Sequence, residues 1–188
     1  MPLAVLMSTM VFASCAQAQT DLYKGKTELS CGNEKYYVNR YGFGRNYHYF
    51  IGKKDNTRIK EGGYTLPDGR RMTRMRLFPD PADMCEDYVL KMKNILNTVF
   101  TQQQIAQFVK NRSNFQYLAV LNFDGQIIEM EYIIGNGLMT SVPFDKYHQL
   151  DKQFRTLKFV VSEEYIDQLK YVKYLIVELD IDFAKIYK

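Results

Sequence analysis

The chain has 188 residues, 46% of them hydrophobic, 24% charged and 14% aromatic, with a net charge of +4. That balance belongs to globular proteins and excludes disordered and collagen-like chains. Its 12 Phe and 15 Tyr, without any Trp, supply core material for one domain, and no apolar run reaches the roughly 18 residues that an internal membrane-spanning helix needs.

Residues 1–20 contain no Lys, Arg, Asp or Glu, and an apolar stretch over 3–13 ends in small residues. This reads as a secretory signal peptide over residues 1–18. Ala16-Gln17-Ala18 fits the small-x-small cleavage pattern and predicts a mature chain starting at Gln19. Phe12-Ala13-Ser14-Cys15 resembles a lipoprotein cleavage box, in which Cys15 becomes the acylated first residue. The expected localisation is export to the periplasm or beyond, with an outer-membrane lipoprotein anchored through Cys15 as the alternative. Cleavage at Ala18 leaves Cys31 and Cys85, and an oxidising compartment allows them one intramolecular pairing. Two readings stay open, a disulfide between Cys31 and Cys85 or two separate thiols with Cys85 buried as a small hydrophobe.

Charge divides the chain. Residues 21–79 carry 13 Lys and Arg against 6 Asp and Glu, net +7, whereas residues 80–188 carry 12 against 15, net −3. The expected organisation is a basic β-rich segment over 19–79 and an α+β unit over 80–188, joined into one compact unit at the Phe78-Pro79-Asp80-Pro81 turn. In the basic segment, residues 36–41 and 47–51 are β-favouring runs separated by Gly42-Phe43-Gly44, and Gly62-Gly63 and Pro67-Asp68-Gly69 mark later turns. Over residues 70–77, Arg70, Met72, Arg74 and Arg76 alternate with Arg71, Thr73, Met75 and Leu77, as in a half-buried strand with a basic outer face.

Asp80 is a good N-cap with Pro81 at the first helical position, and Cys85, Tyr88, Val89, Met92, Ile95, Leu96 and Val99 follow at helical spacing. Thr101 to Gln104 matches a capping box, which starts a short helix with Ile105, Phe108 and Val109 on one face. Residues 115–123 and 126–134 are two β runs joined by Asp124-Gly125, a hairpin with a tight primed turn. A helix over about 145–157 presents Tyr147, Leu150, Phe154 and Leu157, a short helix follows from residue 163, and a strand over 174–183 closes the chain. The fold class is therefore α+β: an N-terminal β-meander followed by an αα-ββ-α-α-β unit with a small antiparallel sheet packed on helices.

Helix, strand, Asp-Gly turn, strand, amphipathic helix is the order of the TonB C-terminal domain, and Leu121-Asn122-Phe123-Asp124-Gly125-Gln126-Ile127 is similar to that family's strand-turn-strand stretch. The resemblance covers residues 101–160 and implies a small sheet with helices on one face and an exposed edge. The family's closing aromatic-Pro segment, membrane anchor and Pro-rich spacer have no counterpart here, so its energy-transducing role is not carried over. As a whole the chain resembles the small, signal-bearing, uncharacterised secreted proteins of Gram-negative gut bacteria.

Candidate chemistry is sparse. His48 and His148 have no close Cys or His partner, so neither a metal nor a cofactor is expected, and both read as surface or structural histidines. A Cys85 and His148 pair is the sharpest enzymatic arrangement on offer. Cys85, however, belongs to the apolar stripe of its helix, and Asp83, Glu86 and Asp87 around it oppose a thiolate. No G-x-S-x-G elbow exists, and the two Gly-x-Gly turns lack the remaining glycine of a phosphate loop.

Strand alternation places Ile128, Met130, Tyr132 and Ile134 inside with Glu129 and Glu131 outside. It likewise places Leu175, Val177, Leu179, Ile181 and Phe183 inside with Glu178, Asp180 and Asp182 outside. In a shared sheet these five carboxylates form an acidic surface, either solvated or docking a basic partner. The strand bearing Arg70, Arg74 and Arg76, with Tyr41, Tyr47 and Tyr49, is a candidate basic binding surface. It superficially resembles a nucleic-acid platform, but an exported protein seldom meets nucleic acid. The expected partner is a protein or an anionic envelope component, and a membrane only if Cys15 is lipidated. The sequence thus leads to an exported, non-enzymatic binding module of the cell envelope, with a lipid-anchored structural subunit or a cysteine-dependent hydrolase as alternatives.

Overall fold

Period-two alternation gives each long strand of this chain two distinct faces. The computed structural model describes residues 20–44, 46–59, 63–65, 71–73, 81–122, 124–135, 137–161 and 175–188. The signal peptide over 1–18, Gln19, Cys15 and the helix expected from residue 163 lie outside the described residues. In chain order the elements are β1 (Glu28–Cys31), β2 (Glu34–Phe43), β3 (Asn46–Lys53), β4 (Gly63–Thr65), β5 (Arg71–Thr73), α1 (Pro81–Met84), α2 (Tyr88–Val99), α3 (Gln102–Lys110), β6 (Asn114–Leu121), β7 (Ile127–Gly135), a 3-10 turn (Leu138–Ser141), α4 (Phe144–Phe154), β8 (Leu175–Asp182) and α5 (Phe183–Ile186).

The fold is α+β, built on a six-stranded antiparallel sheet in the order β1-β2-β3-β7-β6-β8, with β4 and β5 paired in a separate two-stranded ladder. The meander and the later hairpin share that sheet because β3 pairs with β7, from His48 opposite Gly135 to Gly52 opposite Glu131. The helices cover one face. Beneath them lie Tyr36, Val38, Tyr49, Tyr117, Tyr132 and Leu179, packed against Met92, Leu96, Phe108, Leu150 and Phe154, all buried. The N-terminal segment joins this core before β1 begins. Leu22 donates its N–H to Thr140 O at 3.0 Å, and the buried Tyr23 donates its hydroxyl to Val142 O at 2.6 Å.

Three local expectations need correction. The single helix expected after Asp80 is two: Asp87 sits at φ 53°, a left-handed conformation that an α-helix does not continue through, so α1 stops at Met84 and α2 starts at Tyr88. The break turns Val89 outward, 52% exposed, whereas Met92, Ile95, Leu96 and Val99 are buried as the spacing predicts. The Asp-Gly connection is wider than a two-residue primed turn. Gly125 is left-handed at φ 74° and Asp124 is not, while the Asn122 side chain accepts the N–H groups of Asp124 and Gln126. A Cβ on Gly125 would fall 1.7 Å from Phe159 O, so the chain beyond α4 packs directly on this turn. Finally, the β6–β7 register shifts between Val120 and Leu121. This bulge puts Ile127 on the helix-covered face and Ile128 on the opposite one, reversing the expected place of Ile128. The capping box of α3 forms as read, with Gln104 N–H donating to Thr101 and Thr101 N–H to Gln104.

The core is unusually rich in tyrosine, and its rings meet edge to face, Tyr117 with Tyr132 and Tyr117 with Phe154 each at 4.7 Å between centroids. Tyr132 donates to Tyr147 O at 3.1 Å, and Tyr147 to Met139 O at 2.9 Å. The buried Tyr117 hydroxyl has no hydrogen-bond partner among the described residues. Removing an unsatisfied polar atom recovers its desolvation cost, whereas removing one member of a pair forfeits about 1 kcal/mol or strands its acceptor. Urea denaturation should therefore find Tyr117→Phe as stable as the parent or more so, and Tyr132→Phe less stable by about 1 kcal/mol.

Candidate functional site

The face of the sheet away from the helices carries an open cleft. Register aligns its side chains in rows: Tyr41 opposite His48, Asn39 opposite Phe50 and Tyr37 opposite Gly52, continuing to Ile133 and Glu131 on β7. Tyr37, Asn39, Tyr41, Phe50, Ile59 and Glu131 line an open depression of about 570 Å3. Tyr41, 59% exposed, stands edge-on to Phe50, with centroids 5.0 Å apart and ring planes at 79°, so the two rings form a corner. Tyr37 lies across β3 and donates its hydroxyl to Glu131 at 2.5 Å. That crossing requires Gly52, since a Cβ there would meet the Tyr37 hydroxyl oxygen at 2.5 Å. Burial first, then the hydrogen bond to Glu131 and its charge, hold the Tyr37 hydroxyl well above its usual pKa, so it is a neutral donor.

One wall of the cleft is imposed by a buried carboxylate. Glu129, 5% exposed, accepts backbone N–H groups from Thr57, Arg58 and Ile59 at 3.0–3.2 Å and the Arg58 guanidinium at 3.1 Å. Asn56 adds its amide to Met130 O at 2.8 Å. These bonds fold residues 56–59 across β7 and press Ile59 onto Leu118, Val120 and Ile176, a second apolar cluster on this face. Burial alone would raise the Glu129 pKa. The three backbone donors and the Arg58 side chain outweigh it, and the net value falls below the usual 4.5.

The remaining expected residues are dispersed. Arg70, Arg74 and Arg76 lie outside the described residues. The tyrosine trio is split by strand alternation: Tyr41 is on the open face, while Tyr47 and Tyr49 both donate to the Asp21 carboxylate on the other, at 2.7 and 2.8 Å. Partial burial pushes the Asp21 carboxyl up, and these two hydroxyls with two backbone N–H groups bring it below its usual pKa. The acidic five do share a face, with Leu118 between Glu131 and Glu178, but they do not form a uniform solvated surface. Glu129 and Glu131 are buried, 5% and 8% exposed, and Asp182 caps α5 by accepting the N–H groups of Ala184 and Lys185. Asp180 lies 3.9 Å from the Lys185 ammonium; burial raises its pKa despite that neighbour.

His48 is exposed on β3, but His148 is buried rather than on the surface. Its Nδ1 lies 2.8 Å from the Tyr36 hydroxyl and 3.3 Å from Glu34. Lys53 meets Glu34 at 2.6 Å, and Arg155 pairs in bidentate fashion with the buried Asp151. This cluster fastens α4 to β2 and β3. Cys31 and Cys85 are both free thiols. Cys31 ends β1 at one edge of the sheet, whereas α1, just before Cys85, packs beside β8 at the other edge, five strand spacings of about 4.8 Å away. Cys85 Sγ faces Lys91 Nζ at 3.9 Å, and His148 is engaged four strands off, so the two form no nucleophile pair. Among the described residues no group of three or more His, Cys, Asp or Glu converges as a metal site.

Sequence reasoning missed Tyr37, Asn39, Phe50 and Ile59. The period-two series Tyr37, Asn39, Tyr41 could have grouped three of the lining residues. Ile59 reaches the cleft through a loop contact that carries no local signal.

No family model matches the chain, and no curated protein does. Among solved structures it is similar to the crystal structure of a DUF5043 family protein from Bacteroides uniformis ATCC 8492, with a TM-score of 0.64 and 15% identity over 87% of this chain and 88% of that one. The likeness is one of fold. The neighbour belongs to a family of unknown function from a gut bacterium, in line with the resemblance to uncharacterised proteins of such bacteria. The similarity of residues 101–160 to TonB gains no support from these comparisons.

Two outcomes follow. A depressed folded-state pKa contributes stability above the unfolded value and loses it as pH falls through the folded one. Urea midpoints of the parent should therefore drop as pH is lowered from about 4.5 toward the lower Glu129 value, and Glu129→Gln should be less stable at pH 7 and flatter across that window. Iodoacetamide without reductant should alkylate the half-buried Cys31 in the folded protein and Cys85 only after unfolding, as mass spectrometry would read.

Proposed function

We propose that this chain is an exported, non-enzymatic binding module of the cell envelope, whose helix-covered face is scaffold and whose open sheet face takes the ligand. Export rests on the uncharged, apolar N-terminus with its Ala16-Gln17-Ala18 site. Binding rests on one observation: Tyr41 and Phe50 build an aromatic corner over a cleft that also holds Asn39, Tyr37 and Glu131. Rings left in water at a concave site with a few polar groups are the ordinary composition of a recognition surface.

The cysteine-dependent hydrolase is not favoured, since Cys85 is 2% exposed and has no imidazole beside it. The soluble and lipid-anchored forms differ at the N-terminus, where an intact mass beginning at Gln19 or a lipid-bearing mass beginning at Cys15 separates them.

The test is capture of envelope components on immobilised protein, compared with Tyr41→Ala and Phe50→Ala variants whose circular dichroism matches the parent. A component retained by the parent and lost from both variants supports the reading. Components retained equally by all three would refute it.

A further inference from the structure

This inference rests on the reading of the chain as a binding module and names its partner: we propose that the end of β2 takes an extended, acidic polypeptide segment as an added strand. Three observations fall on the same stretch, Asn39 to Phe43. The first is an unfilled edge. β2 pairs with β1 only from Glu34 to Tyr37, with one further bond from Val38 N–H to Thr27 O at 2.9 Å, whereas it pairs with β3 as far as Phe43. Hydrogen bonding alternates from one side of an antiparallel strand to the other. Val38 bonds toward β1, so Arg40, two residues on, directs its N–H and C=O to that same side, where no described residue meets them. The second observation is exposure. Asn39 to Phe43 are all exposed, and among them stand two rings, Tyr41 at 59% and Phe43 at 94%. The third is charge. Between Glu34 and Asp55 the sequence has five Lys and Arg and no Asp or Glu. Lys53 and Lys54 are paired with Glu34 and Glu28. The Arg40 guanidinium lies 4.2 Å over the Tyr47 ring and reaches Gly44 O at 3.5 Å, with no carboxylate among its printed partners.

Each observation narrows the occupant. A backbone in β conformation presents donors and acceptors at the repeat that a sheet edge offers, and strand addition to such an edge is a recurring mode of peptide recognition. Side chains of the added strand alternate between the two faces of the sheet. One set lies beside Tyr41, which also lines the cleft. The other lies on the face of Arg40, where an Asp or Glu meets a cation that no carboxylate holds. A bilayer would cover the two rings, but an open sheet edge is not left in hydrocarbon. A second copy would bring another Arg40 and the same acid-free stretch against the first, and like charges directly opposite each other destabilise strand pairing.

The experiment pans a phage-displayed library of random linear peptides on the purified chain, then synthesises the strongest binder in forms N-methylated at one residue at a time. Affinities are read by fluorescence anisotropy for the parent, Arg40→Ala, Arg40→Pro and Tyr41→Ala, with circular dichroism as the check on folding. Pro at residue 40 removes the outward N–H and leaves the bonds to β3 in place, as Pro on an edge strand does. The expected result is enrichment of acidic peptides and a loss of at least about tenfold on N-methylation at alternate residues only. Arg40→Pro and Tyr41→Ala should lose as much, and Arg40→Ala less, in a salt-dependent way. Failure to enrich any peptide, N-methylation effects without alternation, or binding that survives a folded Arg40→Pro would overturn the proposal. So would a dimer of the chain alone that Arg40→Pro converts to monomer, since a second copy then fills the edge. If Arg40→Pro does not fold, the N-methyl series alone decides. Capture of an envelope component that is lost with Tyr41→Ala and Phe50→Ala but not with Arg40→Pro would leave the cleft as a binding site and refute strand addition. Alternation in the N-methyl series with capture unchanged by both cleft substitutions would leave the edge as the site and refute the cleft.

Discussion

The structure depends on the position of β6 and β7 at the middle of an antiparallel sheet, where each has a strand on both sides and most of its residues, on both faces, are buried. On the helix side Tyr117, Ala119, Met130 and Tyr132 are buried in apolar contact. On the other side β7 presents Glu129 and Glu131, whose burial is tolerated only with donors supplied. The chain provides them from elsewhere: three backbone N–H groups and Arg58 for Glu129, and a phenol reaching across Gly52 for Glu131. The cleft is the product of these two solutions, since one delivers Ile59 as a wall and the other lays Tyr37 along the side.

The bulge in this hairpin links the two faces. By shifting register between Val120 and Leu121, it returns Ile127 to the core and leaves Glu129 on the open face, and the Arg155 guanidinium donates to the carbonyls of Ile127 and Ile128 beside it. Arg155 is fixed in turn by Asp151 on α4, whose neighbour His148 contacts Tyr36 on β2. The polar cluster between α4 and the sheet thus couples helix placement to strand register, which a purely apolar interface would specify less sharply. A similar fold at 15% identity fits a scaffold specified by alternation and burial, which many side chains satisfy, with site chemistry written onto the face that the helices leave open.

The dipolar charge distribution places its basic excess in the segment that contributes β1 to β5 and five of the six described cleft residues. The described cleft lining is aromatic, aliphatic, amide and carboxylate, unlike the net charge of the segment that supplies most of it. Tyr47 shows the same divergence. It belongs to the aromatic strand that the sequence singles out, yet it serves Asp21 and the packing of the N-terminal segment.

What the sequence determined by itself is what local physics determines: the α+β class, the meander around Gly42-Phe43-Gly44, the capping box at Thr101, the buried stripe of α4 and the inner faces of β7 and β8 apart from Ile128. Each of these is legible because periodicity, caps and turn residues act within a few positions. The tertiary structure decided the rest. Whether Glu129 and Glu131 face water or a buried loop depends on what folds over β7, and residues 56–59 arrive there from 70 to 74 positions away in the chain. Tyr41 and Tyr47, eligible for one surface when read along the chain, part because the β2–β3 register puts them on opposite faces. His148, polar on its own helix, becomes buried because α4 lies over Tyr36 and Glu34. Long-range pairing sets these outcomes, and no local spacing encodes it.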